Sequence, residues 1–166
     1  SLEARWLLWF FHISPESGVR PFIWSEYKAQ REVAPLLDPQ EISKRMRTEE
    51  DLRATRYMIR TLRDAGYMRF YDLDPVVFYE RVMAAEDLGD AGNLISDLKE
   101  IKYRRMNEFI AGLNPETLSK RVQTAKNLRG ATILIHALET VWKKGFLEVL
   151  AGLDPEALSE RALTDK

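Results

Sequence analysis

Leu153-Asp154-Pro155-Glu156-Ala157-Leu158-Ser159-Glu160-Arg161-Ala162 is the fourth version of one pattern. The earlier versions open at Leu37-Asp38-Pro39, Leu73-Asp74-Pro75 and Leu113-Asn114-Pro115, and continue as PQEISKRM, PVVFYERV and PETLSKRV. By subtraction the prolines stand 36, 40 and 40 residues apart. An arginine falls six residues after every proline: Arg45, Arg81, Arg121 and Arg161. Self-similarity at this period points to stacked supersecondary units rather than to an enzyme pocket.

Each copy reads as helix. Asp38, Asp74, Asn114 and Asp154 precede proline, and Asp or Asn at an N-cap with Pro at the first helical position is a helix start. The side-chain oxygen accepts an orphan backbone N–H, and proline has no N–H to leave unpaired. Glu41, Glu116 and Glu156 suit the positive end of the helix dipole. A longer helix is predicted next, over about residues 49–65, 92–108 and 128–144, with Gly66 and Gly145 as C′ glycines. A short helix then leads to the next cap, through YMRFYDL, NEFIAGL or FLEVLAGL. In the first long helix Leu52, Thr55, Met58, Ile59 and Leu62 share one side at helical spacing. No segment alternates like a strand. The expected fold is therefore all-α: a solenoid of about three stacked three-helix repeats with an N-terminal aromatic helical cap.

Two stretches, DAGYMRFYDLDP (64–75) and KKGFLEVLAGLDP (144–155 with its leading Lys143), sharpen this pattern. A Pro-started helix, a longer helix ending near Gly and a short helix, with a period near 40, resemble armadillo and HEAT repeats over about residues 33–166. The resemblance implies an α-solenoid that works as a protein-interaction scaffold. The organisation expected is a capping segment over 1–32 and a repeat array over 33–166, truncated within its fourth copy as a fragment of a larger protein.

Composition bounds the function. The 166 residues are 45% hydrophobic and 31% charged, an ordinary globular balance, with net charge −1 and thus no overall pull toward nucleic acid or membrane. Cys is absent, which removes disulfides, thiolate catalysis and the usual structural zinc sites, and a cytoplasmic location is expected. No apolar run reaches the ~20 residues of a transmembrane helix. Gly-rich phosphate loops, GxSxG and HExxH are missing. No catalytic residue, cofactor or metal site is predicted, and the chain is read as not an enzyme.

The N-terminal stretch WLLWFF (6–11) is apolar on every side of a helix, and a second helix is expected over 21–33. Trp6, Trp9 and Phe10 suit three roles: closure of the open array end, a partner or homo-oligomer interface, or shallow membrane contact.

Two arginine sets are candidates for binding. Arg45, Arg81, Arg121 and Arg161 recur in every unit, so a structural role is favoured, each reaching a carboxylate or helix C-terminus in the neighbouring unit. The alternative is a ladder for phosphate or acidic peptide. Arg53, Arg56, Arg60 and Arg63 occur in one copy only and fall on one helix side. They suit an acidic protein partner in preference to nucleic acid, the alternative being a solvated face beside Glu49, Glu50, Asp51 and Asp64. A regulatory helical domain of a larger enzyme is a further alternative. Glu86, Asp87, Asp90 and Asp97 read as a polar inter-helix connection, and His136, in ATILIHAL, as a packed core histidine.

Overall fold

The structure, a computed structural model, describes residues 24–49 and 51–164. Every regular element among them is helical, with no strand. In chain order these are α1 (Trp24–Val33), a 3-10 turn (Ala34–Leu36), α2 (Pro39–Thr48), α3 (Leu52–Asp64), a second 3-10 turn (Phe70–Asp72), α4 (Pro75–Ala84), α5 (Leu88–Glu100), α6 (Met106–Ala111), α7 (Pro115–Gln123), α8 (Leu128–Val141), α9 (Lys143–Ala151) and α10 (Pro155–Thr164). The chain forms two compact units that divide between Val77 and Phe78, inside α4.

In the first unit, Ile42 and Met46 of α2 and Met58, Ile59 and Leu62 of α3 are buried. Asp51 caps α3 by accepting from Arg53 N at 2.8 Å. At the other end Gly66 takes φ +79°, and Tyr67 N donates back to Leu62 O at 2.9 Å. That is the left-handed helix stop for which glycine is suited. The stop turns Tyr67 inward, where its ring meets Phe70 edge-on at 5.2 Å.

The Tyr67 phenol oxygen is buried without a hydrogen-bond partner, and burial pushes its pKa above the ordinary value of 10.0. The folded state therefore holds this proton more tightly than the unfolded chain does. Its contribution to stability is whole below about pH 10 and falls as pH rises beyond it. Tyr67→Phe is expected to remove this alkaline loss. At neutral pH it is expected to be neutral or stabilising by up to ~1 kcal/mol, since an unsatisfied hydroxyl leaves the core. Thermal melts from pH 7 to 11 check this. An equal alkaline fall in both proteins, up to the onset of general base unfolding, would refute it.

The second unit repeats the motif. Asp87 caps α5 by accepting from Gly89 N at 2.6 Å, and Asn127 caps α8 by accepting from Gly130 N at 3.2 Å. Tyr103 N donates to Leu98 O at 3.0 Å, with Lys102 at φ +53° in the place that Gly66 holds in the first unit. Tyr103 turns inward like Tyr67 and meets Phe78 edge-on at 5.3 Å. Helices α5 and α8 pack directly on one another. A Cβ added at Gly92 would lie 2.7 Å from the Leu134 Cα, and one at Gly89 would lie 3.3 Å from the Gly130 Cα. At Gly92 only a hydrogen side chain allows this backbone approach, while at Gly89 the fit is tight.

Several sequence expectations are corrected. The second long helix runs over 88–100 rather than 92–108, because Asp87 starts it and Lys102 stops it. Glu86 to Asp97 is consequently a capped helix start and its continuation, not a connection, and Asp97 is buried. Gly145 is no C′ residue. Trp142 alone (φ −145°, ψ 69°) turns the chain from α8 into α9, and Gly145 lies within α9, where any Cβ would strike the Trp142 indole. YMRFYDL holds a 3-10 turn in place of a short α-helix. His136 is exposed, with Nδ1 3.5 Å from Glu139 Oε2, because the buried stripe of α8 runs through Ala131, Leu134, Ala137 and Leu138.

Candidate functional site

The four Leu-Asp/Asn-Pro positions all act at helix starts. Asp38 accepts from Gln40 N at 3.2 Å, Asp74 from Val76 N at 3.0 Å, Asn114 from Thr117 N at 2.9 Å and Asp154 from Glu156 N at 3.0 Å. Two are also gripped by the preceding copy. Arg47 Nη2 donates to Asp74 Oδ2 at 2.7 Å, and Ser43 Oγ accepts from Asp74 N at 3.1 Å. Gln123, at the position equivalent to Arg47, accepts from Asp154 N through Oε1 at 2.9 Å.

Arg121, on α7, sends its guanidinium to the C-terminal end of α4. Nη1 donates to Val82 O at 2.9 Å and to Met83 O at 2.8 Å, and Nη2 donates to Ala85 O. Helix ends leave such carbonyls unpaired, and the planar fork of arginine serves several of them together. Arg161, on α10, repeats the contact one copy later, donating to Gln123 O and Ala125 O at the end of α7. Burial draws the Arg121 pKa below its ordinary value. Arg45 and Arg81 are half-buried. Arg45 approaches Glu49 at 4.0 Å, while its Nε is buried without a hydrogen-bond partner.

An open cleft of about 660 Å³ lies between the α4–α5 and α7–α8 turns, lined in part by Asp87, Arg121, Lys126 and Asn127. Three of its polar groups are engaged in the fold: Asp87 and Asn127 cap helices, and Arg121 holds the end of α4. No group of His, Asp or Glu side chains placed to hold a metal ion occurs among the described residues.

Of the single-copy arginines on α3, Arg53 and Arg60 are exposed and Arg56 and Arg63 are half-buried. Arg63 Nε pairs with Asp64 at 2.9 Å. The aromatics of the same unit are largely withdrawn: Tyr67 and Phe70 are buried, Tyr57 is half-buried, and Tyr71 is exposed. Base stacking needs open ring faces, and this group offers few. Trp6, Trp9 and Phe10 lie outside the described residues.

Sequence reasoning missed the second cap of each copy. Asp38 to Asp51, Asp74 to Asp87 and Asn114 to Asn127 each span thirteen positions, and Leu follows each second cap. That fixed offset was the available signal. No helix among the described residues is long and apolar enough to cross a membrane. Comparison with protein-family models, with curated proteins and with solved structures finds no match to this chain.

Proposed function

We propose that the chain is a non-catalytic helical-repeat scaffold for protein–protein interaction, an α-solenoid of the armadillo/HEAT kind. One observation carries this reading: Arg121 grips the end of α4, and Arg161 grips the end of α7 in the same way one copy later. A contact that recurs with the period of the sequence is what holds neighbouring units of a repeat array in register. Such an array offers an extended surface, and the arginines of α3 occur in one copy only rather than with the period of the stacking contacts, with Arg53 and Arg60 exposed. The favoured partner presents carboxylates, because guanidinium forks pair with them bidentately and few ring faces stand open for bases.

Arg53→Glu combined with Arg60→Glu tests this, both residues being exposed. A labelled Glu-rich helical peptide is expected to bind the parent and to weaken roughly tenfold or more with the double variant. Thermal stability is expected to stay within a few degrees. Labelled duplex and single-stranded DNA serve as competing probes at several salt concentrations. Tighter binding to either, falling steeply with salt, would favour the nucleic-acid reading instead. If neither ligand class responds to the double reversal, the stripe is a solvated face and drops out of the proposal.

A further inference from the structure

Helix α10 repeats α7 forty residues later but is covered differently. In α7, Leu118 and Val122 are buried, and Ser119 Oγ donates to Val149 O of α9 at 2.8 Å. Helix α9 packs on both α7 and α8. Gly152, just past the end of α9, completes the closure, since a Cβ there would lie 2.6 Å from Ser119 Oγ. The equivalent α10 residues are Leu158, half-buried, and Ser159 and Ala162, both exposed. Leu163 beside them is 74% exposed, where α7 has Gln123. Meanwhile Arg161 seats α10 on the end of α7 as Arg121 seats α7 on the end of α4. The helix therefore sits in the register of the repeat, and among the described residues one apolar face lacks the cover its predecessor has.

We infer that the α10 face is a docking surface for a repeat-type helix pair with the chemistry of α8 and α9. The occupant has an Asp or Asn cap followed by Leu, an aliphatic stripe like Leu134, Ala137 and Leu138, and a short helix that closes on Ser159 through a glycine. The internal precedent identifies it: this face in α7 is already covered in that way within the same chain. The inference rests on the repeat-array reading.

The offset of thirteen residues between first and second caps sets the experiment. A second copy of residues 127–152, fused directly after residue 166, puts its Asn cap thirteen positions beyond Asp154. The fusion is expected to raise Tm by about 5 °C in a single transition. Leu158→Asp is expected to abolish that gain in the fusion and to lower Tm less than half as much in the unfused chain, where Leu158 is only half-buried. An unchanged Tm, a separate unfolding transition, or an equal Leu158→Asp penalty in both proteins would overturn the inference. So would dimerisation of the unfused chain that Leu158→Asp abolishes, because a second copy would then be the occupant. Failure of the repeat-array reading itself shows separately, as indifference of the unfused chain to Arg121→Met.

Discussion

Arg121→Met is expected to lower stability by about 3 kcal/mol, and Tm by roughly 6–12 °C in a chain of this length. Methionine keeps most of the apolar stem with which arginine covers its surroundings, so the substitution isolates the guanidinium. That group satisfies the carbonyls of Val82, Met83 and Ala85 at the end of α4. Hydrogen bonds from a charged donor contribute about 1.5–3 kcal/mol each at most. Water reaches part of the helix end once the donor is gone, so the loss falls well short of three full bonds. Arg121→Lys is expected to recover less than half of it, because an ammonium is a point charge that does not fork across three acceptors. Denaturant melts of the three proteins decide the matter. Full rescue by Lys would replace the fork with simple attraction of a cation to the helix C-terminus, and a Met variant as stable as the parent would remove the contact from the architecture altogether.

The pattern that made Arg121 legible also shows why other parts were not. Leu-Asp/Asn-Pro is readable because proline has few places in a helix and Asx before it has one job there. A residue recurring with the period was readable as a packing device, although the sequence could not choose between a carboxylate and a helix end as its acceptor. Asp51 and Asp87 perform the same capping chemistry without a following proline. Acidic neighbours (Glu49 and Glu50, then Glu86) blur which residue starts the helix. His136 was misplaced because ATILIHAL is apolar nearly all round, so its periodicity left the phase of the buried stripe open. Gly145 reads like a helix stop by position alone, and its real constraint, the Trp142 indole, comes from a bend in the chain. Composition bounded the partner only by class, since charge and aromatics become a surface only when folding decides which side chains remain outside.

Gly92 is the clearest case of a residue whose meaning comes from packing. By propensity alone, Gly92→Ala inside α5 would stabilise the helix by about 1 kcal/mol. The structure reverses the expected sign. A Cβ at this position would lie 2.7 Å from both the Leu134 N and Cα and 2.8 Å from the Ile133 carbonyl carbon. These are backbone atoms of α8, which have no rotamer to change, so the two helices must move apart along their whole contact. Leu94, Ile95 and Leu98 of α5 and Leu134 and Leu138 of α8 are buried and would all lose packing as they separate. Overpacking of this kind costs about 3 kcal/mol or more before the propensity gain. The expected net loss is therefore about 2 kcal/mol, with Tm falling by roughly 4–8 °C. Gly89→Ala provides the graded comparison, since its nearest backbone neighbour, the Gly130 Cα, lies at 3.3 Å and a few tenths of an ångström of adjustment accommodate it. Its penalty is expected to be clearly the smaller of the two. Were Gly92→Ala to melt at or above the parent temperature, helix propensity would outweigh contact at this crossing, and the close approach of α5 to α8 would not be what the glycine is there to permit.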